Sequence, residues 1–198
     1  TNEIFKELPD IVKDEISILE PSVGVGNFLP FVFKKFEDVK KVNIDVVDVD
    51  EMNLKILKLL LSKQQVPLNF SIRFIRADTL SYDFGKKYDL VIGNPPFFKL
   101  KAKDAEKYLK NNRNKNTTNT FEFFLEKALT ISDYVVMITP KAVLNTPEFR
   151  VTRDLLAAKK IDCVQDYGEN GFKGVLVEFA CLLIPRDSRK ILRLNPLL

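Results

Sequence analysis

Ile16-Ser17-Ile18-Leu19-Glu20-Pro21-Ser22-Val23-Gly24-Val25-Gly26-Asn27-Phe28 is the stretch that decides the fold. Its first five residues form a short apolar run stopped by Pro21, as expected of a buried strand. Gly24 and Gly26 then permit a tight turn and a close approach of backbone to a ligand. From 28 to 36 apolar residues recur at helical spacing. Strand, glycine turn and helix in that order form the opening unit of a doubly wound sheet. The third glycine of a dinucleotide fingerprint would fall at Leu29, so the pyrophosphate signature is incomplete.

Working outward, strands and helices alternate. Residues 42–49 read as a second strand dominated by β-branched side chains, and Asp50 is placed to cap a helix over 52–61. Strands follow over 70–75 and 88–92, the latter ended by Gly93 and two prolines. Helices are expected over 121–129 and 149–158, and strands over 134–138, 161–164 and 175–184. The pattern predicts an α/β fold: a doubly wound, mostly parallel, seven-stranded sheet with helices on both faces, Rossmann-like. The connection before the final strand is too short for a helix, so that strand is expected to run antiparallel. Residues 1–198 are expected to form one domain, with 99–119 as a basic, mobile loop inside it.

Composition narrows the chemistry. Of 198 residues, 45% are apolar and 29% charged, the mixture of an ordinary globular domain. No apolar run reaches the roughly 18 residues of a membrane span. The chain contains no histidine, which excludes a Ser-His-Asp triad, a Cys-His pair and a His-ligated metal. Two cysteines, Cys163 and Cys181, sit in apolar runs and read as small core residues of a cytoplasmic protein. The net charge of +4 is modest, but seven cations lie between Lys99 and Lys115 against only Asp104 and Glu106.

Three carboxylates fall at strand ends on one edge of the expected sheet: Glu20, Asp48 and Asp78. Ligands of such sheets bind at that edge, where an acid after the second strand can accept hydrogen bonds from ribose hydroxyls. The competing reading, helix caps and solvated acids, is preferred for Asp50. Three carboxylates repel a phosphate-bearing cofactor. S-adenosylmethionine carries a sulfonium, an ammonium and no phosphate, and fits better.

Asn94-Pro95-Pro96-Phe97 is the most specific feature. Two prolines fix the backbone just past a central strand. The Asn94 side-chain oxygen and the Pro95 carbonyl can accept both hydrogens of an amino group, and Phe97 can stack on the attached ring. Holding the amino hydrogens turns the nitrogen lone pair toward a sulfonium methyl, a reaction promoted mainly by positioning.

These residues resemble the amino-methyltransferases of DNA, specifically the adenine-N6 group of restriction-modification systems in which the cofactor motif precedes the catalytic one. Residues 20–28 resemble that family's first motif, 48–50 its second, Asp78 its third and 94–97 its fourth. The helix at 119–129 is similar to the one after its DNA-contacting loop, 137–141 resembles its sixth motif and 171–178 its eighth. The resemblance implies S-adenosylmethionine held by Glu20, Pro21, Gly24, Gly26, Asn27, Phe28, Asp48, Val49, Asp78, Thr79 and Asn94. It implies catalysis by Asn94, Pro95, Pro96 and Phe97, with Phe97 and Phe172 gripping a base flipped from double-stranded DNA. Lys99, Lys101, Lys107, Lys110, Arg113 and Lys115 would contact phosphates beside it.

Residues 1–14 do not match the family's upstream aromatic motif, and nothing after Arg186 matches its target-recognition domain. A separate recognition domain or a restriction subunit is therefore the expected partner. The absence of a Pro-Cys dipeptide argues against attack on a cytosine ring carbon. Rival readings are a ribosomal-RNA base amino-methyltransferase, a protein-glutamine methyltransferase and a silent binding module. The DNA reading predicts that replacing Lys107, Lys110, Arg113 and Lys115 by Ala flattens the salt dependence of DNA binding; an unchanged slope of affinity against salt refutes the phosphate role.

Overall fold

Pro21 has no backbone N–H to give to a ladder, and the first strand ends before it. This strand, β1 (Glu15–Glu20), runs parallel to β2 (Lys41–Asp48) on one side and β4 (Tyr88–Gly93) on the other. β3 (Phe70–Arg76) pairs parallel with β2, and β5 (Ser132–Pro140) parallel with β4. β7 (Phe179–Pro185) inserts antiparallel between β5 and β6 (Cys163–Gly168). The expected seven strands, with the last antiparallel, are all present. An eighth, β8 (Arg193–Pro196), adds parallel to β6, which the sequence did not suggest. The order is β3-β2-β1-β4-β5-β7-β6-β8. The computed structural model describes residues 5, 8, 11–110, 112–159, 161–168, 179–185 and 193–196.

The helices are α1 (Leu29–Lys35), α2 (Glu51–Ser62), α3 (Ala102–Leu109), α4 (Thr120–Ile131) and α5 (Arg150–Lys159). Asp50 caps α2 as expected, accepting a 2.8 Å hydrogen bond from the Met52 N–H. Alternation along the central strands divides the core in two. Ile16, Ile18, Ile44, Leu90 and Ile92 face Leu29, Val32, Leu54 and Leu57 of α1 and α2. Leu19, Val47, Val91 and Met137 face Leu125, Leu129, Leu155 and Leu156 of α4 and α5. A strand buried on both faces needs apolar residues in succession, which is why 90–92 and 135–138 read as unbroken runs. Among the described residues, no helix is long and apolar enough to cross a membrane.

β2 also carries a buried charge. Asp45 accepts two hydrogen bonds from Arg73 of β3 (2.9 and 2.6 Å), one from the Tyr88 hydroxyl (2.5 Å), and pairs with Lys86 at 2.9 Å. Burial pushes its carboxyl up, but the donors from Arg73, Tyr88 and Lys86 outweigh that and hold it below its ordinary range.

The two turn glycines are not equivalent. Gly24 (φ +54°) and Gly26 (φ +83°) both adopt left-handed backbone. A Cβ on Gly24 would meet nothing within 4 Å, whereas one on Gly26 would lie 2.5 Å from Leu57 Cδ1. Gly24→Ala is therefore expected to cost about 1–2 kcal/mol of strain. Gly26→Ala also overpacks the α1–α2 seam and should cost roughly 2–4 kcal/mol. Equal losses in denaturant unfolding would contradict this packing.

Candidate active site

The chain leaves β1 toward β2 on one side and returns from β3 to β4 on the other, so the carboxyl ends of β1 and β4 flank the point where strand order reverses. A crevice opens at such a point. The glycine turn and Asn94-Pro95-Pro96-Phe97 both emerge there.

The turn is held from two neighbouring strands. The Val23 N–H donates to the Val47 carbonyl (2.9 Å), and the Gly24 N–H donates to Asp48 Oδ2 (2.8 Å). Asp48 also accepts from the Asp50 N–H (2.8 Å) and from Asn53 Nδ2 (3.2 Å), so this acid stands at the crevice edge and braces the turn as well. From beyond β3, the buried Thr79 hydroxyl donates to the Pro21 carbonyl at 2.5 Å. Val49 is 71% exposed, an apolar surface beside Asp48. Asn27 is exposed, while the Phe28 ring is buried in the core with α1 and does not line the crevice by its side chain.

Glu20 ends β1 with 2% exposure, and its Oε2 has no hydrogen-bond partner among the described residues. Burial pushes its carboxyl well above the ordinary range. An orphan carboxyl oxygen at the mouth of a crevice suits a cationic ligand.

Gly93 brings the two motifs into contact. A Cβ there would lie 3.1 Å from Pro21 Cδ, so the end of β4 rests on the Pro21 ring. The Ser22 hydroxyl donates to the Asn94 carbonyl (3.1 Å), leaving the exposed Asn94 side chain beside the glycine turn. Pro95 is buried. The far side of the loop is held by Thr120, the first residue of α4. Its hydroxyl donates to the Pro96 carbonyl and accepts from the Phe98 N–H (3.2 Å), and its N–H donates to the Phe98 carbonyl (3.0 Å). Phe97 is 37% exposed, with its ring tilted at 45° against buried Phe121, 6.2 Å between centroids. The arrangement presents an amide and a backed aromatic face on a fixed corner, with the buried, unpartnered Glu20 carboxyl at the end of the neighbouring strand.

The basic segment departs from the loop expected over 99–119. α3 occupies 102–109, with Ala105 as its buried side chain. The following residues are pinned to α4 by two carboxylates. Glu126 accepts from the N–H groups of Arg113 (2.6 Å) and Asn114 (3.0 Å). Buried Glu122 accepts from Asn114 Nδ2 (3.1 Å), Asn119 Nδ2 (3.2 Å) and the hydroxyls of Thr117 and Thr152. Asparagines and threonines that read as polar loop are therefore buried donors to helix acids.

The cations divide accordingly. Lys115 Nζ donates to the carbonyls of Leu109 (2.7 Å) and Lys110 (3.0 Å) at the end of α3, and Lys99 pairs with Glu148 at 2.7 Å. Lys107 stands 3.7 Å from Asp78 and over the Tyr108 ring. Lys101, Lys103, Lys110 and Arg113 are exposed and form no ion pair among the described residues. Phe172 and the segment 171–178 lie outside the described residues. A cavity of about 660 Å³ lies between residues 80–87 and α4; of its lining lysines, Lys86 pairs with Asp45 and Lys127 donates to the carbonyls of Leu80 and Tyr82.

Sequence reasoning missed Thr120, Ser22, Tyr108, Glu122 and Glu126. Thr120 carries a faint signal, a hydroxyl at a helix start, but the carbonyl it reaches is set by tertiary structure.

The profile of the Eco57I restriction-modification methylases matches residues 13–172. The chain belongs to that family. It is 30% identical over 177 residues to the Type II methyltransferase M.VspI of Vibrio sp. (strain 343), covering 87% of this chain and 43% of that one. It is 26% identical over 184 residues to the Type II methyltransferase M.AccI of Acinetobacter calcoaceticus, covering 87% of this chain and 33% of that one. The chain thus spans less than half the length of these relatives. The fold is similar to that of a type I restriction-modification system methyltransferase subunit from Streptococcus thermophilus, with a TM-score of 0.76 at 16% identity over 98% of this chain and 46% of that one. It is also similar to a Listeria monocytogenes protein described as a class I S-adenosylmethionine-dependent methyltransferase, with a TM-score of 0.79 at 19% identity, covering 99% of this chain and 62% of that one. At such identities the likeness is one of fold alone.

Thr120 holds the loop that follows β4. Thr120→Val is expected to lower stability by about 1–2 kcal/mol and to speed amide exchange at Phe97 and Phe98. Unchanged exchange there would mean that the two prolines alone fix the loop.

Proposed function

We propose that the protein transfers a methyl group from S-adenosylmethionine to the exocyclic N6 amino group of adenine in double-stranded DNA, as the modification activity of a restriction-modification system in the cytoplasm. The observation that carries this reading is the contact of Gly93 with Pro21, which sets the Asn94-Pro95-Pro96-Phe97 loop against the glycine turn. Membership of a restriction-modification methylase family supports DNA as the substrate.

The cofactor supplies the methyl group. Its ammonium suits the buried Glu20 carboxyl, its ribose hydroxyls the Asp48 carboxylate, and its adenine the exposed Val49 and the Asp78 carboxylate. A cation seated beside Glu20 would offset the burial that pushes its carboxyl up. The Asn94 side-chain oxygen and the Pro95 carbonyl accept the two amino hydrogens of the target base. That orients the nitrogen lone pair along the line of attack. Phe97, backed by Phe121, holds the base ring by stacking. With no histidine in the chain, the surplus proton leaves through these acceptors to water. Positioning of this kind lowers barriers by ~7–11 kcal/mol without a strong base. The exposed Lys101, Lys103, Lys110 and Arg113 suit phosphates beside the flipped base, and a recognition domain or partner subunit would choose the site.

The test is transfer of a tritiated methyl group from S-adenosylmethionine to DNA, RNA and protein, with hydrolysis of the product to identify the base. Label is expected in duplex DNA as N6-methyladenine. Asn94→Ala should lower turnover by about a hundredfold or more. Label in RNA alone would move the reading to an RNA base, and full activity in Asn94→Ala would overturn the mechanism.

A further inference from the structure

Asp78 is the acid at the end of β3 whose contacts tie the crevice to the basic segment. Its Oδ1 accepts from the Leu80 N–H (3.1 Å). Its Oδ2 accepts from the Ser81 hydroxyl (2.9 Å) and from the Tyr108 hydroxyl (2.8 Å), with Lys107 Nζ at 3.7 Å. Each carboxylate oxygen has two lone pairs. Oδ2 is fully used, and Oδ1 keeps one acceptor site open for a ligand donor.

Tyr108 is the penultimate residue of α3, the helix that follows the Asn94–Phe98 loop and carries Lys101, Lys103, Lys107 and Lys110 on or beside it. Its ring packs on Phe123 of α4, 5.5 Å between centroids, and Lys107 lies over it at 4.5 Å. Ala105 is the buried side chain of α3, and no side chain caps its N-terminus. A helix this lightly anchored depends strongly on each polar tether. The Tyr108–Asp78 bond is such a tether, and it ends on the carboxylate that the proposed cofactor would use.

We propose that Tyr108 is a positioning residue that couples occupancy of the cofactor crevice to the docking of the basic helix α3. The inference rests on the reading of Asp78 as a cofactor contact. A flat ligand seated on Oδ1 excludes water from the half-exposed Tyr108–Asp78 pair, and a hydrogen bond shielded from water is stronger. The filled crevice therefore holds α3 down, with its lysines presented beside the catalytic loop. By linkage, a polyanion that binds the docked helix tightens the cofactor by the same factor. The charges facing Asp78 are Lys107 of α3 and Lys127 of α4.

The test is amide hydrogen exchange of the protein and of Tyr108→Phe, each without and with saturating S-adenosylhomocysteine. Phenylalanine keeps the ring on Phe123 and removes only the tether. In the wild type, the ligand is expected to slow exchange over 102–110 by about tenfold, a typical allosteric coupling. In Tyr108→Phe, most of that ligand-dependent slowing should vanish while the glycine turn at 22–28 is still protected. A merely structural role would speed exchange equally with and without ligand and leave the ratio unchanged, which would overturn the proposal. Wild-type protection confined to the glycine turn would overturn it too. Protection nowhere in the wild type would overturn the cofactor reading, and this coupling with it.

Discussion

The backbone of residues 21–24 is the fixed point on which the site depends. It accepts from Thr79 beyond β3, donates to Val47 and Asp48 of β2, and supports Gly93 of β4 through the Pro21 ring. Each attachment is short-range and steric or hydrogen-bonded, so none tolerates a shift of even an ångström. A side chain at 93 would push the β4 loop off the turn. A turn without Asp48 would have no acceptor for the Gly24 N–H. The crevice is therefore assembled by the same contacts that close the sheet at its switch point, and ligand geometry follows from fold geometry.

A second set of contacts works from the opposite side. Thr120 at the start of α4 grips the Pro96 and Phe98 backbone, while Glu122, two residues on, and Glu126, one turn beyond that, gather the donors of residues 113–119 and Thr152. One helix thus holds both the loop proposed to carry the chemistry and the segment proposed to meet the nucleic acid. Buried carboxylates are costly unless their acceptors are filled, and here four donors surround Glu122. The order in this polar segment comes from satisfying those acids rather than from apolar packing.

The basic charge of the segment is also less uniform than its composition suggests. Lys115 neutralises the carbonyl end of α3, Lys99 answers Glu148, and Lys107 stands near Asp78. The outward-facing cations with no ion pair among the described residues are Lys101, Lys103, Lys110 and Arg113. A lysine run in a sequence counts charges, but the field at a surface depends on which of them are already compensated.

The sequence by itself determined the sheet and its polarity. Unbroken apolar runs such as 90–92 and 135–138 require burial on both faces, glycines at 24 and 26 permit a left-handed turn, and the short reach between β6 and β7 favours an antiparallel return. It also marked Asn94-Pro95-Pro96-Phe97, because two prolines fix a backbone locally whatever surrounds them. Local chemistry carries those signals. What only the tertiary structure decided was which polar residue answers which. The Tyr108 bond to Asp78 spans 30 residues, the Thr120 bond to Pro96 spans 24, and the Thr152 bond to Glu122 spans 30. Asp45, read as part of a β-branched strand, turned out to be a buried acceptor for Arg73 and Tyr88. A hydroxyl or carboxylate in a sequence states only that it needs a partner; the folded chain alone supplies the distance and direction that choose one.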